Sequence, residues 1–135
     1  MSERTALVTH TDFVFLPITG FEAAERFYGG VLGLECSKRY GNAIGGEFET
    51  GNLTIQLVDM ARIGREFAPS TASAIALRVE DVPAARSDLE SRGVRFQGET
   101  IDSGVCHMAF FEDQDGNVLM LHHRYAPPDA RPTPP

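Results

Sequence analysis

Few side chains in this sequence could do chemistry near neutral pH: four histidines, two cysteines and the carboxylates. Three of the histidines fall in one stretch, Cys106 to Tyr125, where two apolar runs flank Asp113-Gln-Asp-Gly-Asn117. Side chains of that turn type bond their own backbone, and Gly116 can adopt positive φ, so the chain reverses into a hairpin. If Glu112 and Val118 close the loop, Phe110 lies opposite Met120 and Met108 opposite His122. Alternation then gathers Cys106, Met108, Phe110, Val118, Met120 and His122 on one face. The other face takes His107, Ala109, Phe111, Leu119, Leu121 and His123. His122 and His123 therefore point apart and cannot chelate one ion together. An imidazole titrates near neutrality, which makes His122 the candidate catalytic residue, as a general base, with Glu112 as the alternative. A nucleophilic Cys106 would need an activating base, and the adjacent His107 points to the opposite face.

The elements that must position these groups come in a repeated order. Asp12 to Ile18 reads as a strand. From Phe21, the residues Phe21, Ala24, Phe27, Tyr28, Val31 and Leu32 recur at helical spacing, and Gly33 ends the helix. Strands follow over Leu34 to Tyr40, Glu47 to Thr50 and Leu53 to Val58. The order then recurs. Ala74 to Val79 is a strand, Asp81 is an N-cap followed by Pro83, Val82, Ala85 and Leu89 form an apolar stripe, and Gly93 is the stop. Val94 to Gln97 and the hairpin complete the second unit. Phe13 to Ala24 aligns with Ala74 to Ala85 at a fixed offset, with Ala23-Ala24 falling on Ala84-Ala85. Two units of one strand, one helix and three strands imply an internal duplication. Each is too small to bury both faces of its sheet, so the two must cover one another.

Composition narrows the function. Twelve basic residues against nineteen acidic ones, a net charge of −7, argue against nucleic acid as a partner. No apolar run approaches the roughly 18 residues needed to cross a bilayer, and Met1-Ser-Glu-Arg does not open a signal peptide, so the expected setting is the cytoplasm and no membrane. In that setting Cys36 and Cys106 are expected as free thiols. Residues 1–10 form an N-terminal segment, 11–60 the first module, 61–70 a linker or flap, 71–125 the second module, and 126–135 a proline-rich disordered or extended tail.

Phe27-Tyr28 followed by Val31-Leu-Gly-Leu34, the helix start Val79-Glu-Asp-Val-Pro-Ala-Ala-Arg86 and the Asp113-Gln-Asp-Gly-Asn117 turn, set in paired modules, resemble the vicinal oxygen chelate superfamily over residues 11–125. That superfamily includes glyoxalase I, extradiol dioxygenases and the fosfomycin- and bleomycin-resistance proteins. The resemblance implies an α+β fold. Two βαβββ modules form a curved, mostly antiparallel eight-stranded sheet with its helices on the outer face. It also implies metal ligands on the first and last strands of each module, positions that here fall on Phe13, Gln56, Ala74 and Met120. A divalent site needs about three protein ligands and an open position. One amide does not supply it, so neither a metal nor another cofactor is expected.

Without a metal, the concave face presents Phe13, Phe15, Ala74, Met108, Phe110, Val118 and Met120, punctuated by Thr54, Gln56, Cys106 and His122. A mostly apolar wall with a few convergent polar groups is the usual lining of a small-molecule pocket. The expected function is metal-independent binding of a small, largely apolar or aromatic molecule, resembling the drug sequestration of the bleomycin-resistance branch. The alternative is a glyoxalase-like or dioxygenase-like lyase or isomerase with a diverged or absent metal site and His122 as its base. A homodimer is expected, because relatives place such cavities at subunit interfaces.

Overall fold

The computed structural model describes residues 6–132. The first module runs β1 (Val14–Ile18), α1 (Phe21–Glu25), β2 (Glu35–Arg39), β3 (Gly45–Glu49) and β4 (Thr54–Asp59). The second runs β5 (Ile75–Arg78), α2 (Val82–Ser91), β6 (Phe96–Asp102), β7 (Cys106–Glu112) and β8 (Val118–Arg124). Each module makes its own four-stranded mixed sheet, ordered β1-β4-β3-β2 and β5-β8-β7-β6. Outer strands β1 and β5 run parallel to β4 and β8, and every other pairing is antiparallel. The duplicated element order is thus a duplicated topology.

The first helix is not regular. After Glu25 the chain widens into a π-helical segment over Arg26–Val31, with the Leu32 amide bonded to the Phe27 carbonyl at 2.9 Å. Gly29-Gly30 lies inside this segment, and two successive glycines weaken the tighter α turn there. By contrast, α2 is regular. Its N-cap, Asp81, accepts a bond from the Ala84 amide at 3.0 Å, and Pro83 sits in the first turn. Gly33 and Gly93 leave the two helices with φ of +76° and +88°, the left-handed geometry that stops a helix.

One apolar core joins the modules. Leu16, Ile18, Ile55 and Leu57 project into it from the first sheet, and Ala109, Phe111, Leu119 and Leu121 from the second. Between them an aromatic chain crosses from one module to the other. Phe48 meets Tyr28 at 5.9 Å, Tyr28 meets Phe27 edge-on at 5.3 Å, and Phe27 meets Phe111 at 6.5 Å. Such rings bury large areas and gain from offset contact.

The hairpin turn is the polar counterpart of that chain. Asp113 accepts bonds from the Tyr28 hydroxyl at 2.7 Å, from the Asp115 and Asn117 amides and from the Asn117 side chain. Asn117, fully buried, also donates to the Pro17 carbonyl and accepts from the Ser70 amide, both at 2.8 Å. Thr19 binds Asp115 through its amide and its hydroxyl. The turn therefore ties β1, α1 and the linker to the second module. After Asp59, a short 3-10 turn over Met60–Ile63 opens that linker. Residues 126–130 fold back so that the Arg124 guanidinium reaches the carbonyls of Pro127 and Ala130. The rest of the proposed tail, 133–135, lies outside the described residues.

Candidate functional site

The concave faces follow from register. In the first sheet Phe15, Gln56 and Glu47 stand side by side across β1, β4 and β3, with Thr54 and Glu49 forming the next row. In the second, Ala76, Met120, Phe110 and Gln97 form the corresponding row, and Arg78, His122, Met108 and Ile101 the next. The hairpin pairs as the sequence requires, Phe110 with Met120 and Met108 with His122, closed by Glu112 and Val118. Phe15 on β1 and Phe13 just before it are 44% and 46% exposed, high values for phenylalanine. Ala74 directly precedes β5, and Cys106 opens β7 opposite Arg124. Both cysteines are free.

The two faces differ in polarity. Tyr40 donates its hydroxyl proton to Glu47, so its oxygen can only accept from Gln56, whose Nε2 lies 2.8 Å away. That fixes the amide and leaves Gln56 Oε1 as a bare acceptor. Burial and the bond to Glu47 raise the Tyr40 pKa above the ordinary phenol value, keeping the proton on Tyr40. Glu49 accepts from Ser37 at 2.5 Å and Thr54 at 2.6 Å, and these two bonds hold its pKa below the usual carboxylate value. Every hydroxyl on this face is thus spent on a carboxylate. Across β5, β8 and β7 the equivalent region of the second sheet is methyl, thioether and phenyl, with Gln97 at its β6 edge and His122 beside Arg78 and Met108.

A divalent ion does not fit here. The positions where the superfamily's metal ligands fall hold phenyl, amide, methyl and thioether groups at Phe13, Gln56, Ala74 and Met120. Among the described residues no three His, Cys, Asp or Glu side chains converge on a point that could hold a metal.

Glu47, Glu49 and Tyr40 escaped the sequence reading, although Glu47-Phe48-Glu49 alternates and Phe48 is wholly buried. A phenylalanine facing the core sends its two neighbours to the concave side. Also missed were Asp102 and Tyr125, the partners of the His107–His123 pair that the sequence puts on the other face of the hairpin. His107, paired across the strands with His123, lies 3.3 Å from Asp102 and stacks on Tyr125 at 4.8 Å, while Tyr125 donates to Asp102 at 2.8 Å. The Gly104 amide and then the Tyr125 hydroxyl lower the Asp102 pKa. This cluster pins the chain end to the sheet.

A separate groove of about 750 Å³ runs between the modules. Val31 to Leu34 and the β3–β4 turn form one wall, and the open edge of β5 with Leu89 of α2 forms the other. None of the eleven ligand-binding candidates named from the sequence lines it.

Residues 9–121 match the Glyoxalase family, described as the Glyoxalase/Bleomycin resistance protein/Dioxygenase superfamily. The chain belongs to that superfamily. Solved structures share its fold at low identity. A glyoxalase family protein from Bacillus anthracis superposes with a TM-score of 0.74 at 18% identity, covering 90% of this chain and 99% of the other. A superfamily member from Sphaerobacter thermophilus DSM 20745 gives 0.74 at 20%, covering 87% and 98%. TnmS3, an antibiotic binding protein from Streptomyces sp. CB03234, gives 0.70 at 23%, covering 89% and 99%. Among curated proteins, none matches this sequence. Within the superfamily, this chain combines the fold with four implied ligand positions of which only Gln56 carries an oxygen donor. No helix among the described residues is long and apolar enough to cross a membrane.

Proposed function

We propose that the protein binds a small, largely aromatic organic molecule on its concave faces without a metal, as a cytoplasmic homodimer, in the manner of drug sequestration. The observation that carries this reading is the exposure of Phe13 and of Phe15, which stands beside Gln56, with Phe13 and Gln56 at positions where the resemblance puts metal ligands. Exposed phenylalanines stack on flat ligands, and Met108 and Met120 supply adaptable surface. The antibiotic-binding character of TnmS3 lends support by fold alone. Because the hydroxyls of the first sheet are already donating, a ligand would meet acceptors there, Gln56 Oε1 and the Glu47 carboxylate. An aromatic body carrying N–H or cationic groups is the best match.

The enzymatic alternative needs a group that orients His122. Its cross-strand neighbours are Arg78 and Met108, neither of which can accept a proton from an imidazole and fix its tautomer. The binding reading therefore stands ahead. Thermal-shift screening with planar cationic and neutral aromatic drugs tests it. Cationic members should raise Tm, and mass spectrometry after incubation should recover them unchanged. Recovery of a modified compound, or no response to any planar compound, would sink the proposal.

A further inference from the structure

The groove between the modules has one wall of bare backbone. Strand β5 is outermost in its sheet and pairs only with β8. Arg78 lies level with His122, and the next amide, that of Val79, bonds the His122 carbonyl at 3.1 Å. Alternate residues of a parallel strand turn both backbone groups to the same side, so Leu77 and Val79 face β8. Ala76 and Arg78 turn theirs outward, to the groove that both residues line. Among the described residues nothing bonds these two amides and two carbonyls.

An extended chain fits this pattern. The two free pairs repeat about 6.6 Å apart along β5, twice the rise of a strand residue. A compact molecule meets one pair, whereas a peptide strand meets both. At about 750 Å³ the groove is within the roughly 300–1,000 Å³ of ligand pockets. Leu32, Leu34, Leu53 and Leu77 line it half-buried, apolar surface left without a full cover. The faces of β5 then sort an occupant's side chains. Ile75 and Leu77 pack towards the core, and Ala76 and Arg78 take the opposite face beside Met120 and His122. A strand laid along β5 continues both faces, so alternate residues enter the groove and the others line up with Arg78. Arg92, on the α2 side, is already bound to Asp88 and to the Val31 carbonyl. Arg78 is exposed and pairs with no carboxylate among the described residues.

We infer that the groove takes an extended peptide as an added strand on β5, with apolar residues at alternate positions and a carboxylate on the opposite face to meet Arg78. Main-chain bonds to Ala76 and Arg78 supply affinity, and the alternate side chains supply selectivity. The guanidinium adds a charge-assisted bond at one end. This site does not depend on the ligand proposed for the concave faces.

Fluorescence anisotropy of the full chain with fluorescein-labelled Thr-Leu-Thr-Leu-Asp is the test. Binding should saturate. Ala76→Pro removes one outward amide at an edge position that tolerates proline, so the variant should keep its circular dichroism and bind the probe about tenfold more weakly or worse. Arg78→Glu should reverse the preference, towards Thr-Leu-Thr-Leu-Lys. Two methylated probes read the backbone directly, one N-methylated on its leucines and the other on the remaining residues. Only one set of amides faces β5, so one probe should bind as the parent does and the other should lose about tenfold or more. No saturable binding, equal behaviour of the two methylated probes, or unchanged affinity in folded Ala76→Pro would overturn the inference. So would a wild-type dimer that ignores the probe and dissociates on Ala76→Pro in sedimentation velocity, which would give the edge to a second copy.

Discussion

The Tyr28 hydroxyl donates to the Asp113 carboxylate at 2.7 Å, joining the first helix to the turn that closes the last hairpin. Both groups are buried, and Asp113 keeps three other donors when the phenol is lost. Tyr28→Phe should therefore cost about 1.5 kcal/mol, a fall in Tm near 5 °C by calorimetry.

The same pair sets a response to alkali. Burial first, then the neighbouring Asp113 charge, pushes the Tyr28 pKa far above the ordinary phenol value. A pKa raised on folding means that stability is fully present below the unfolded value, about 10, and is lost as pH climbs above it. Wild type should lose stability more steeply than Tyr28→Phe above about pH 10. Parallel denaturant midpoints for the two proteins from pH 8 to 11 would contradict this.

Asn117→Ala removes a side chain that serves Pro17, Ser70 and Asp113 together. Two half-buried backbone groups lose their partners and Asp113 loses a donor, so destabilisation of about 1–3 kcal/mol is expected from urea titration. Because Asn117 and Tyr28 share Asp113, the double variant should fall short of the sum by at least about 0.5 kcal/mol.

Gly46 lies in β3 where a Cβ would come within 2.6 Å of the Lys38 carbonyl and 2.7 Å of the Phe21 ring. Gly46→Ala must push strand β2 or the first helix aside. A loss of about 2 kcal/mol or more is expected, measured by thermal melting.

Phe15 and Met120 lie on the open faces, not in the core. Phe15→Ser should leave Tm within about 1 °C in the absence of ligand, since exposed substitutions cost little, while Met120→Glu at a half-buried site should cost about 1 kcal/mol. Each should abolish the thermal shift from a planar aromatic ligand. Dialysis against a chelator should change neither quantity.

The fold was legible because two periodicities and two stops recur in order. Phe21 to Leu32 and Val82 to Leu89 announce helices, Gly33 and Gly93 end them, and the turn at Asp113–Asn117 sets a register that the structure reproduces pair for pair. The widening of the first helix at Gly29-Gly30 was hidden, because an apolar stripe at helical spacing does not distinguish i+4 from i+5 bonding. So was the tertiary role of the turn. Asp113 and Asn117 read as local turn formers, and their long-range partners, Tyr28, Pro17 and Ser70, carry no sequence signal of the pairing. The polar network on the first sheet was missed for another reason. Tyr40, Glu47 and Gln56 meet only across three strands, which no local pattern records.

The twin sheets descend from one plan yet no longer do one job: across β1, β4 and β3 the row ends in an amide and an acid, while its counterpart across β5, β8 and β7 ends in sulfur and a benzene ring. A guest lying between two such walls would have a right way round. Its charged or hydrogen-donating end would seek one parent half and its oily end the other, so a molecule with two identical ends would gain from only half of what the surface offers.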